Sequence, residues 1–209
     1  MEKNEILKII LDERLVVVVR LKQQADVPQV LKALVEGGVK VLEITSNTPG
    51  FLEEIAKARK LYQDVLIGAG TVTNSTLAKD SIDAGAQFLV SPNTDPEIVA
   101  IAHAHRIPVL MGALTPTEIG VAENAGADIV KLFPSGNLGT AYFKAVSSPF
   151  SSVKFFAVGG INLDNAIEWL NAGVSGVGLG GSLVRPIHSE KEYEENVEIA
   201  KQLVELIKK

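Results

Sequence analysis

The chain contains no cysteine among its 209 residues. That absence removes disulfides, thiolate metal sites and cysteine nucleophiles together. Aromatic residues are scarce at 5%, with a single tryptophan, so most of the interior has to be built from aliphatic side chains. Positive charge is not in excess: 20 basic against 25 acidic residues give a net −5, too acidic for a surface that grips a nucleic-acid backbone. The densest basic group, Lys57, Arg59 and Lys60, follows directly on Glu53 and Glu54 and reads as a solvated helix face. Long apolar runs are missing too. None approaches the roughly 18 residues of a membrane span, and the opening MEKNEILKII mixes charge into the stretch that a signal peptide would keep apolar. The expectation is a cytoplasmic protein with neither membrane nor nucleic acid as a partner.

What the chain has instead is a cadence. With 46% hydrophobic and 22% charged residues it can bury a sizeable core, and residues 1–209 read as one domain. Short apolar segments begin at Val16, Val41, Val65, Phe88, Val109, Ile129, Phe155 and Val177, each followed by a polar turn and a helix-like stretch. Their starts lie 20 to 26 residues apart, the length of one strand, one loop and one helix. Eight such units close a barrel. The segments are nearly continuous in apolar residues, as in parallel strands covered on both faces. Asp26, Asp95 and Thr115 stand where helices should begin, with Pro96 placed for a first helical position and Thr115-Pro116-Thr117-Glu118 spelling a capping box. An eight-stranded parallel (β/α)8 TIM barrel is therefore predicted. A helix over about Lys3–Leu11 should cover the barrel bottom, and one over about Glu192–Lys208 should complete the outer ring. An open doubly wound sheet is the alternative, suggested by Gly176-Val-Gly-Leu-Gly-Gly-Ser182, but that spacing departs from a dinucleotide loop and no βαβ unit follows it.

Charged residues inside barrel strands stand out, because catalytic groups of this architecture gather at the C-terminal strand ends. Lys131 interrupts Ile129-Val-Lys-Leu-Phe133, Glu43 interrupts Val41-Leu-Glu-Ile-Thr45, and Arg20 ends Val16-Val-Val-Val-Arg20. If alternate positions face inward, an amine and a carboxylate project into one confined space. A buried ion pair is the structural alternative, although desolvating two charges costs several kcal/mol each. A desolvated lysine can instead attack a ketone and form a Schiff base, and Glu43 is placed to move the protons that this chemistry needs. Gly159-Gly160 and Gly180-Gly181-Ser182 follow the seventh and eighth strands, where barrels frequently bind phosphate on bare backbone amides. His103 and His105, two apart on a predicted helix, lack metal-ligand spacing, and Asn74-Ser-Thr76 is a glycosylation sequon by spelling only.

Val41-Leu-Glu-Ile-Thr45, Gly68-Ala-Gly-Thr-Val72, Ser91-Pro92, Lys131-Leu-Phe-Pro134, Gly159-Gly-Ile161 and Gly181-Ser182 occur along almost the whole chain in the order of a known family. The chain resembles the class I aldolases of 2-keto-3-deoxy-6-phosphogluconate (KDPG) and 2-keto-4-hydroxyglutarate (KHG). The resemblance implies a lyase that reversibly cleaves a phosphorylated keto-deoxy sugar acid to pyruvate and glyceraldehyde 3-phosphate, without metal or other cofactor, as a homotrimer. Lys131 would form the Schiff base and Glu43 would be the acid/base. Thr71 would help hold the substrate carboxylate, Phe133 and Pro92 would wall the pocket, and Gly159, Gly160, Gly181 and Ser182 would hold the phosphate. Arg20 matches an arginine of some members. Asn47 stands where the family usually carries an arginine that clamps the carboxylate, and Val158 stands where it carries a threonine, so gluconate- and galactonate-type substrates are equally admissible. On the residues alone, two other readings stay open: a different phosphate-binding barrel, such as a metal-dependent sugar-phosphate epimerase, and a non-catalytic sensor of sugar phosphates.

Overall fold

The computed structural model describes residues 1–208 of the chain, apart from the side chain of Ser182. Strands and helices alternate as the cadence predicts: α1 (Lys3–Glu13), β1 (Leu15–Val19), α2 (Val27–Glu36), β2 (Val41–Thr45), α3 (Phe51–Leu61), β3 (Leu66–Gly70), α4 (Ser75–Asp83), β4 (Leu89–Val90) and α5 (Pro96–Ala104). There follow β5 (Val109–Ala113), α6 (Pro116–Asn124), β6 (Ile129–Leu132), α7 (Gly139–Ser147), β7 (Phe155–Val158), α8 (Ala166–Ala172), β8 (Gly176–Leu179) and α9 (Glu190–Lys208). All eight strands run parallel, each bonded to the next, and β8 pairs back onto β1 to close the barrel. Closure excludes the open-sheet alternative.

Two apolar layers result from the alternation of side chains along each strand. One set, including Val17, Leu42, Ile67 and Leu132, packs outward against the helices. The other, including Val16, Val41, Leu66, Leu110, Ile129 and Phe156, fills the barrel and is plugged from below by Ile6 and Ile10 of α1. The helix expected at the barrel bottom is therefore there. Its other anchor is ionic: Lys3 Nζ lies 2.7 Å from Asp128 Oδ1, while His103 Nε2 lies 2.8 Å from Asp128 Oδ2. His103 is thus used in the scaffold.

Inward-facing glycines make the barrel interior fit its few large side chains. A Cβ on Gly68 would come within 2.5 Å of the Phe88 ring, and one on Gly176 would run into Phe156. β3 runs past the apolar residues Val65-Leu66-Ile67 through Gly68-Ala69-Gly70, where glycine carries no apolar side chain to mark a strand. Capping follows the sequence in two of three cases. Asp95 accepts from the amide of Glu97 at 3.0 Å, and Thr115 with Glu118 forms the expected box. Asp26 does not cap: its backbone is already helical, at φ −80° and ψ −21° inside a short 3-10 turn, whereas a capping residue needs an extended backbone to reach the free amides. Asn74 caps α4 through its side chain, accepting from Leu77 N at 2.9 Å, so the sequon spelling has a structural use.

Candidate active site

The C-terminal mouth of the barrel opens into a cavity of about 570 Å³. Lys131 reaches it from β6, where its register partner is Gly112 of β5; the missing side chain of Gly112 makes room for the Ser91-Pro92 backbone, which a Cβ would meet at 2.3 Å. Glu43 comes from β2, with Val18 and Gly68 as its strand neighbours. Both are buried, Lys131 to 5% exposure and Glu43 to 1%. No oxygen of Glu43 lies within 4.0 Å of the lysine nitrogen, so the two do not close into an ion pair; Lys131 lines the cavity, whereas Glu43 is not among its lining residues. Glu43 Oε1 is buried and has no hydrogen-bond partner, and a Cβ on Gly70 would sit 2.7 Å from it. Glycine at position 70 is what admits the carboxyl there. Lys131 Nζ lies over the Phe133 ring, 5.1 Å from its centre.

Burial governs both groups. Desolvation pushes the Glu43 carboxyl above its ordinary range, against the pull of Lys131 and then of Arg20. Desolvation pushes the Lys131 amine down; Glu43 opposes this and Arg20 adds to it. The shifts run towards each other, which favours an uncharged amine beside an uncharged acid. That is the state a lysine nucleophile needs.

Around this pair the remaining predicted residues divide. Arg20, Thr71, Pro92, Phe133, Gly159, Gly160 and Gly181 line the cavity. Arg20 Nη2 donates to Thr71 Oγ1 at 3.2 Å, linking the ends of β1 and β3. Gly159, Gly160 and Gly181 all have positive φ, 87°, 78° and 62°, and turn the chain in a way that side-chain-bearing residues resist. Asn47 stands apart: it is exposed, outside the cavity wall, and its Oδ1 accepts from the Thr45 hydroxyl at 2.7 Å. For Ser182 only the backbone is described, in a 3-10 turn spanning Gly181–Leu183 beside the cavity; its side chain lies outside the described residues.

Other contributors gave no sequence signal. Val18, Asn162 and Val184 also line the cavity, and as ordinary apolar or turn residues they could not be singled out. Ser135, fully buried, donates to Leu132 O at 2.6 Å and accepts from Val158 N at 3.3 Å, fixing the end of β6 against β7. Thr71 has a φ of 55°, a left-handed backbone that costs a β-branched residue about 1–3 kcal/mol unless its surroundings hold it.

A family model described as "KDPG and KHG aldolase" matches residues 6–201 of the chain. The chain belongs to this family. Among its relatives, a 2-dehydro-3-deoxy-phosphogluconate aldolase of Treponema pallidum is 38% identical over 177 residues, 84% of each protein. A 2-dehydro-3-deoxy-6-phosphogalactonate aldolase of Escherichia coli is 37% identical over 159 residues, 73% of this chain and 76% of the relative. A KDPG aldolase structure from Legionella pneumophila, with pyruvate captured as a covalent carbinolamine, superposes with a TM-score of 0.80 at 29% identity, over 97% of this chain and 96% of the other. The chain is accordingly a carbon–carbon lyase of the KDPG aldolase type.

Proposed function

We infer that the chain reversibly cleaves a 2-keto-3-deoxy-6-phospho sugar acid to pyruvate and glyceraldehyde 3-phosphate through an imine on Lys131. The uncharged amine adds to the C2 ketone, giving a carbinolamine, and Glu43 in its protonated form supplies the proton with which hydroxide departs as water. The resulting carboxylate takes the proton of the C4 hydroxyl. The C3–C4 bond then breaks, its electron pair flows into the imine to give an enamine, and the aldehyde leaves. Glu43 returns the proton to C3, and water hydrolyses the imine to free pyruvate and the amine.

The observation that carries this reading is the burial of Lys131 on the cavity wall and of Glu43 beside Gly70, both without an ion-pair partner among the described residues, with desolvation driving each towards its neutral form. For the substrate carboxylate, the reading uses Arg20 and the Thr71 hydroxyl, which already bond to each other. The phosphate goes to the amides of Gly159, Gly160 and Gly181 and the backbone of Ser182. Phe133 and Pro92 form apolar walls. Val158 offers no hydroxyl to a sugar C4 substituent, so both the gluconate and galactonate configurations fit the reading, as does the presence of both kinds of aldolase among the relatives. A homotrimeric assembly belongs to the same proposal, and analytical ultracentrifugation checks it.

Pyruvate release from a panel of keto-deoxy acids, phosphorylated and unphosphorylated, tests the function. Turnover of the 6-phospho acids, with Lys131→Met inactive, is the expected outcome. A chain that turns over none of them, or a Lys131→Met variant that still does, contradicts it.

A further inference from the structure

Thr71 is held in its left-handed conformation by a residue that touches neither the cavity nor the reacting pair. Ser46, half-buried at the first position after β2, donates its hydroxyl to Thr71 O at 2.7 Å, and its own amide donates to Gly70 O at 2.9 Å. These two bonds grip successive carbonyls of the chain as it leaves β3. The next amide, that of Val72, donates to Val90 O at 3.1 Å and fixes the far side of the turn. Between these anchors the Thr71 backbone has φ 55°, and its Oγ1 accepts from Arg20 at 3.2 Å on the cavity wall. A threonine free to relax from that conformation would swing its hydroxyl away from Arg20, because the backbone φ and the direction of Cβ change together.

We propose that Ser46 is a positioning residue for substrate recognition: its hydroxyl, bonded to the Thr71 carbonyl, holds Thr71 in the left-handed turn that points Oγ1 at Arg20 and the substrate carboxylate. This rests on the aldolase reading above for the identity of the carboxylate. It requires no contact between Ser46 and substrate. Position 46 accordingly needs a short hydroxyl side chain, serine or threonine, and alanine breaks the grip while keeping the size.

The test is a double-mutant cycle on pyruvate affinity in the condensation direction, using Ser46→Ala, Ser46→Thr, Thr71→Gly and the double variant Ser46→Ala/Thr71→Gly. Glycine at 71 takes the left-handed turn without help and has no hydroxyl to aim, so the need for Ser46 should vanish with it. Ser46→Ala should raise the KM for pyruvate about tenfold with kcat within about twofold, and Ser46→Thr should restore it. In the Thr71→Gly background, Ser46→Ala should change KM no further. An unaltered KM in Ser46→Ala, or the same rise persisting with Gly at 71, overturns the proposal while wild-type turnover leaves the aldolase reading intact. A parallel fall of kcat and melting temperature in Ser46→Ala that Ser46→Thr does not rescue marks a merely structural role and also overturns it. Absence of pyruvate turnover in the wild type removes both readings at once.

Discussion

Lys131 and Glu43 show how burial, more than any neighbouring charge, prepares a nucleophile. Each would be charged in water, and each is driven towards its neutral form by the loss of hydration, with Arg20 adding a push on the amine. The sign of the resulting pH dependence follows. The amine is held below its ordinary 10.5 in the folded chain, so stability associated with it is fully present above 10.5 and is lost as pH falls towards the folded value. Lys131→Met has no proton to bind and fills similar volume. It should be more stable than the parent, by about 1–3 kcal/mol at about pH 6, with the gap closing as the pH approaches about 10. Urea denaturation across that range checks it; a gap that widens with pH contradicts it. Glu43→Gln keeps the shape and loses the proton transfer, so kcat should fall by about 10²- to 10⁴-fold with the fold retained, read by steady-state pyruvate release.

The strands and helices owe their placement to features unequally visible in the sequence. The eight apolar runs and the capping box at Thr115 could be read directly, because hydrophobic period and cap chemistry are local. The second half of β3 could not, since Gly68 and Gly70 are there to leave space for Phe88 and for the Glu43 carboxyl, partners far away in the chain. Asp26 departs for the opposite reason: its residue type suits a cap, but the 3-10 turn that contains it has already given its backbone a helical conformation. Two consequences can be measured by equilibrium unfolding. Gly68→Ala forces a methyl against the Phe88 ring and should cost about 1–3 kcal/mol. Ile10→Ala, which empties the centre of the α1 plug where Ile10 is wholly buried, should cost about 2–5 kcal/mol. Losses under about 0.5 kcal/mol at either position would mean that the barrel interior is packed differently.

Taken together, the barrel separates support from chemistry. Its lower end is closed by apolar side chains of α1 and by the Lys3–Asp128–His103 cluster, while its upper end gathers the amine, the acid, a cation and the glycine turns. Most of that upper cluster could be named from the sequence, because charge inside an apolar strand is conspicuous. Asn47 could be named too, yet it stands outside the cavity wall with its carbonyl oxygen bonded to Thr45, and Arg20 with Thr71 presents the polar edge instead. Which way a loop residue turns depends on bonds such as that from Ser46 to Thr71, which no spacing rule encodes. The central claim is that the nitrogen at position 131 becomes covalently bonded to the keto acid. Borohydride reduction in the presence of pyruvate, followed by peptide mapping, tests it most directly: the account predicts a reduced adduct on the peptide holding Lys131 and on no other. Full turnover with that peptide unmodified, or an adduct on a different lysine, would contradict it.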